Sequence, residues 1–110
     1  MIRWLPALLF VLLSARVTAP AQAADPGVQT TWRLLDYIAV DYREAIADGR
    51  VVNQFEYEEM TEFSKSVAAN VAALPESAAK TNLAGAAAEL QRVIAAKAPP
   101  ADVAARARAL

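Results

Sequence analysis

The chain has 110 residues, 56% of them hydrophobic and 21% charged, with 11 Lys and Arg against 12 Asp and Glu for a formal net charge of −1. It contains neither cysteine nor histidine, which excludes disulfide frameworks, thiolate nucleophiles, Cys/His zinc sites, covalent haem attachment and imidazole acid–base chemistry. This length holds one small domain at most, and without a basic surplus the electrostatic footprint of nucleic-acid binding is missing.

Met1 to Ala23 reads as a secretory signal peptide. Arg3 supplies the positive start, Trp4 to Leu13 the apolar run, and Ala21-Gln22-Ala23 a small-x-small cleavage site before Ala24-Asp25. The run is shorter than the roughly 20 apolar residues a bilayer span needs. The alternative is an uncleaved start lying on the membrane. No cysteine follows the run, so lipoprotein attachment has no support. Setting aside Arg3 and Arg16 leaves nine basic groups against twelve acidic ones, a net charge of −3 for the exported part.

Residues 24–30, with Asp25-Pro26-Gly27, are expected to be a linker to a helical domain over residues 31–98. Thr30 or Thr31 caps a first helix, about 31–47, in which Leu35, Ile38, Tyr42, Ala45 and Ile46 form one apolar stripe. Asp48-Gly49 closes it, glycine taking the left-handed conformation. Asn53 and Glu56 have capping-box spacing, with Val52 and Tyr57 placed as a hydrophobic staple. They open a second helix, about 54–74, with a stripe of Met60, Phe63, Val67, Val71 and Leu74 that Pro75 stops. The short connection folds helices one and two into an antiparallel hairpin. A third helix, about 77–97, carries Leu83, Ala87, Leu90, Val93 and Ile94 and ends at Pro99-Pro100. Residues 99–110 read as the start of a further helix that stops at Leu110. No strand alternation, phosphate loop or fixed-period repeat competes. The expected fold is therefore all-α: a helical hairpin plus a third and a partial fourth helix in a small up-down bundle.

Charge is uneven along this bundle. Thr30 to Glu62 carries eight acids against Arg33, Arg43 and Arg50, and the balance reverses from Phe63 onward. At about 100° per residue, Asp41 flanks the apolar stripe of helix one and Glu59 the stripe of helix two, so antiparallel pairing brings them level, with Glu62 and Tyr37 on the outer part of that face. Like charges this close are screened by water and salt or bridged by a cation. Hard oxygen ligands such as Asp41, Glu59 and Glu62 suit iron or another divalent cation, Ca²⁺ or Mn²⁺ among them. The plainer reading spends Glu56 on the cap and leaves Glu58 and Glu62 to Lys65 or water. Tyr42 and Phe63 are packing residues. Trp32, Tyr37, Phe55 and Tyr57 either form a docking patch for another domain or pack under the ends of the bundle. Ser64, Ser66 and Ser77 have no base to activate them, and the chain is read as a non-enzyme with no small-molecule substrate.

The stretch Trp32-Arg33-Leu34-Leu35-Asp36-Tyr37-Ile38-Ala39-Val40-Asp41-Tyr42, followed by Ala45, Asp48-Gly49, Val51, Asn53, Glu56-Tyr57, Glu59-Met60 and Glu62-Phe63, resembles the periplasmic region that precedes the permease in bacterial high-affinity iron transporters. Some members of that family place a c-type cytochrome segment between the two. The resemblance spans roughly Thr30 to Leu110. It implies an exported, periplasmic accessory part of an iron-uptake system at the Gram-negative inner membrane, with the permease membrane domain and a c-type cytochrome domain as partners. The permease itself carries Arg-Glu-x-x-Glu motifs. Here Arg43-Glu44-Ala45-Ile46-Ala47 has Ala47 in place of the second glutamate, and no Cys-x-x-Cys-His occurs. The sequence is expected to be a separate accessory product or part of a longer reading frame. The alternative function is a stand-alone periplasmic helical interaction or scaffold protein without a metal role.

Overall fold

A computed structural model describes residues 26–110, so the leader, Ala24 and Asp25 lie outside the described residues. The element order is α1 (Pro26–Ala45), β1 (Ile46–Ala47), β2 (Arg50–Val51), α2 (Gln54–Ala72), α3 (Ala78–Ala95) and α4 (Pro100–Ala109). Four helices form a small bundle. α1 packs against α2 and α4, and α3 against the same two, so the chain runs around the ring and closes it. Short connections make successive helices antiparallel.

The first helix differs from expectation at both ends. It begins at Pro26, not near residue 31, because proline is well placed at a first helical position, where its missing N–H costs nothing. Thr31 is thus inside the helix, and its hydroxyl donates to the Gly27 carbonyl at 2.7 Å instead of capping. At the other end, Asp48-Gly49 does not close a helix. Asp48 (φ 53°) and Gly49 (φ 71°) are the two central residues of a tight turn. The antiparallel pairs Ile46↔Val51 and Ala47↔Arg50 flank it. Two consecutive positive φ values match the hairpin turn that Asp-Gly favours.

α2 opens on Asn53, whose side chain accepts from the Glu56 N–H at 3.1 Å. α3 opens on Ser77, which accepts from the Lys80 N–H at 3.1 Å. Each cap satisfies one otherwise orphaned donor. Only half of the expected capping box forms: the Asn53 N–H points to the Ala45 carbonyl (3.4 Å), which also takes the Val52 N–H (2.8 Å). The hairpin has taken the bond that the Glu56 carboxylate would have made.

The core contains Ile38, Tyr42, Ile46, Met60, Val67, Leu90 and Ile94, all at most 1% exposed. Val103 and Ala107 of α4 belong to the same cluster, so α4 packs into the bundle core. The end of α3 is locked to the other helices. Lys97 adopts φ 56°, its N–H donates to the Ile94 carbonyl at 3.0 Å, and the Ala98 N–H reaches back to Val93 at 3.0 Å. This is the Schellman arrangement with lysine at the left-handed position. The Tyr42 hydroxyl donates to the Ala98 carbonyl and the Tyr57 hydroxyl to the Ile94 carbonyl, both at 2.9 Å, so α1 and α2 each hold that terminus through one phenol. Burial, with a smaller contribution from Tyr57, pushes the Tyr42 phenol up to about 12. Among the described residues no buried side-chain polar atom lacks a partner, and no helix is long and apolar enough to cross a membrane.

Candidate functional site

The register of α1 against α2 is fixed by two contacts. The rings of Tyr37 and Phe63 lie 6.0 Å apart at a 34° tilt, and the Asn70 amide donates to the Thr31 hydroxyl at 2.9 Å. Counting one turn at a time toward the hairpin from the aromatic pair places Asp41 level with Glu59 and Glu44 level with Glu56. Together they make a seam of four carboxylates at the hairpin end. Its electrostatic signature falls on Glu56, whose carboxyl is raised above the usual carboxylate range first by desolvation, then by the charges of Glu59, Glu44 and Asp41, with a hydrogen bond donated by the Glu56 carboxyl to Glu59 acting the same way. Asp41, Glu56 and Glu59 are half-buried and Glu44 is exposed. None of the four is ion-paired to a described residue.

Asp41 and Glu59 thus share one seam. Glu62 lies one turn further out on α2 and its carboxylate pairs with Lys65 at 3.1 Å. Among the described residues, no group of three or more Asp or Glu side chains is arranged to hold a metal ion. Of the trio Asp41, Glu59 and Glu62, the third carboxylate is held by the lysine one turn ahead. The two partners that sequence reasoning missed are Glu44 and Glu56. They are centred on Arg50, as Asp41 and Glu59 are, and that shared centre was the available signal; assigning Glu56 to the cap hid it.

The four aromatic candidates do not form one patch. Tyr57 is half-buried, packed on the core and committed through its hydroxyl to Ile94. Tyr37, 45% exposed, stacks on Phe63 along the α1–α2 seam. Phe55, 71% exposed, stands beside exposed Val52 at the hairpin end. Trp32, 75% exposed, lies on the opposite flank of α1, beside a groove of about 590 Å³ shared with Ala107 and Leu110. At 1.5 Å per residue, Trp32 and Phe55 are separated by most of the length of α1.

No curated protein and no solved structure shows a significant match to the chain. The family model of the iron permease-associated 4-helix bundle domain matches residues 19–110, which take in all four helices, the hairpin and the carboxylate seam. The chain belongs to the family of iron permease-associated 4-helix bundle domains.

Proposed function

We propose that this bundle is an exported accessory domain of an iron-uptake permease, stationed on the periplasmic face of the inner membrane, where it docks to the permease system and gathers cations without chelating them. The observation that carries the reading is the seam of Asp41, Glu44, Glu56 and Glu59, left without a counter-cation among the described residues. Four like charges along one groove raise the local cation concentration and the encounter rate, an effect that salt weakens over a Debye length of about 8–10 Å. Such binding is weak and exchanges fast, as suits cargo on its way to a pore. The raised proton affinity of Glu56 adds a direction: acidification removes charge from the seam and lowers its pull. Export rests on the leader pattern of Arg3, Trp4 to Leu13 and Ala21-Gln22-Ala23. Phe55 with Val52, and Tyr37, are the docking candidates on the acidic side.

The role proposed is binding and not turnover. Ser64, the one buried serine among the described residues, donates its hydroxyl to the Thr61 carbonyl at 2.8 Å, so that hydroxyl is committed to the helix backbone. The absence of a preassembled three-carboxylate group among the described residues favours a second reading, a helical scaffold that assembles partners with no metal role. Cellular iron uptake at limiting iron separates the two. The double substitution Asp41→Asn, Glu59→Gln lowers uptake while leaving the protein level unchanged if the seam feeds the permease, and leaves uptake unaltered if the bundle is only a scaffold. A permease or cytochrome segment encoded in frame or adjacent supports association with either partner.

A further inference from the structure

We infer that the hairpin end of the bundle is the contact surface for a cationic polypeptide segment of a partner, with Phe55 as its apolar anchor. The inference names the partner chemistry of the docking face proposed above and rests on that reading. Phe55 is 71% and Val52 61% exposed, and both lie inside the chain, where the hairpin feeds α2. Phe55, Glu58, Glu59 and Glu62 follow one another at offsets of three, four and seven, so they share one face of α2. That face is turned away from the buried Met60, Ser64 and Val67. An aromatic ring with an apolar neighbour, set among carboxylates, suits a side chain with an apolar stem and a cationic head, as arginine and lysine have. The ring takes the stem or the guanidinium face, and Glu58 and Glu59 pair the charge.

The charges around the patch decide the sign of the occupant. Glu62 is held by Lys65 at 3.1 Å. The Glu58 carboxylate accepts from the neutral Gln54 amide at 3.0 Å, which leaves its charge in place. Two arginines belong to this end, Arg43 and Arg50, and neither is ion-paired to a described residue. Arg43 follows Asp41 by two positions and projects from another side of α1. Arg50 stands on β2 beside the turn, but the charges acting on Glu56 are those of Glu59, Glu44 and Asp41, so the seam stays negative. Lys97 and Asp102 lie at this end on the α3 and α4 side, one of each sign. An anionic lipid surface is repelled from such a face, as is the same end of a second copy. Phe55 stands out from the surface, so a small cation finds no walls around the ring, whereas a polypeptide brings apolar side chains of its own to flank it.

The test is a titration of the ¹⁵N-labelled chain, recovered after export, with a short amphipathic peptide of leucine and arginine, read as amide shifts at low ionic strength. Parallel titrations use the same peptide with glutamate in place of each arginine, and vesicles of anionic phospholipid. Shifts centred on Val52, Phe55 and Glu58 with the arginine peptide alone are expected, weakening as salt is added. Phe55→Ala weakens binding at least about tenfold, the loss typical of an aromatic anchor. Glu58→Arg combined with Glu59→Arg reverses the preference, losing the arginine peptide and taking up the glutamate one, which a merely misfolded variant does not do. Shifts spread over all acidic positions, unaltered affinity in Phe55→Ala, an equal response to both peptides, binding to the vesicles, or self-association through this face without peptide overturns the inference. The iron-uptake comparison is read separately. Lowered uptake in Asp41→Asn, Glu59→Gln together with a failed peptide titration strikes this inference and leaves the proposed function standing; unaltered uptake with the expected titration keeps the contact face and removes cation gathering.

Discussion

Tyr42→Phe isolates one bond between helices that are far apart in sequence. The Tyr42 side chain is 1% exposed, and its hydroxyl donates at 2.9 Å to the carbonyl of Ala98, 56 positions away. The substitution keeps the ring and its packing. It removes the bond and leaves a part-buried carbonyl short of a donor, which together cost about 1–2 kcal/mol. For a domain of this size, a 1.5 kcal/mol loss lowers the melting temperature by about 6–12 °C. The pH dependence gives an independent check. The folded phenol titrates at about 12 against an ordinary 10, so the folded state keeps a proton that the unfolded chain loses. The corresponding stability is fully present below pH 10 and is lost as pH rises through 12. Urea or thermal melts followed at 222 nm therefore show the Phe variant less stable at pH 7, with a flatter alkaline decline than wild type. A Tyr42→Phe melt within about 0.3 kcal/mol of wild type, with the alkaline slope unchanged, refutes the clamp.

The remaining substitutions probe backbone conformation, capping and charge. Lys97 and Gly49 both hold positive φ, so Lys97→Gly relieves left-handed strain and stabilises by about 0.5–1 kcal/mol, while Gly49→Ala introduces it and costs about 1 kcal/mol; chemical denaturation reads both. Asn53→Ala removes the α2 cap and costs about 1 kcal/mol. Glu56→Gln on the same turn acts the opposite way and stabilises at neutral pH, because the reciprocal capping bond is not made and the neighbouring carboxylates disfavour the charge. Since the folded-state proton affinity of Glu56 is raised, its contribution to stability is full at low pH and lost as pH rises through the upper carboxylate range. Melts of wild type and variant across that range show the wild-type loss and its absence in Glu56→Gln.

What the sequence made legible was local. Asn53 opened a helix where its side-chain oxygen accepts an early N–H group, and the stripes of Ile38, Met60, Val67, Leu90 and Ile94 pointed to the shared core. Asp41 and Glu59 were placed on one face because helical period and an antiparallel turn suffice for that geometry. The remainder depended on contacts outside any local window. The phenols of Tyr42 and Tyr57 find carbonyls 56 and 37 positions away, and no spacing rule announces such bonds. Lysine at the left-handed position of the α3 cap runs against residue preference. It is held there by the two backbone bonds at Ile94 and Val93 and by the tyrosines. Asp48-Gly49 had two competing meanings, helix closure and hairpin turn, and the second prevailed because Ile46 and Val51 gain a pairing and burial that a frayed helix end does not provide. That choice reached the candidate site as well: the hairpin satisfied the Asn53 N–H and released the Glu56 carboxylate into the acidic seam.

The most direct test of the account is a Mn²⁺ titration of the ¹⁵N-labelled chain at low ionic strength, read as paramagnetic broadening of each amide. Selective, fast-exchange broadening around Asp41, Glu44, Glu56 and Glu59, weakened by added salt and by lower pH and lost in Asp41→Asn, Glu59→Gln, is the predicted result. Broadening spread evenly over all exposed carboxylates, or centred on Glu62 and Glu76, contradicts it.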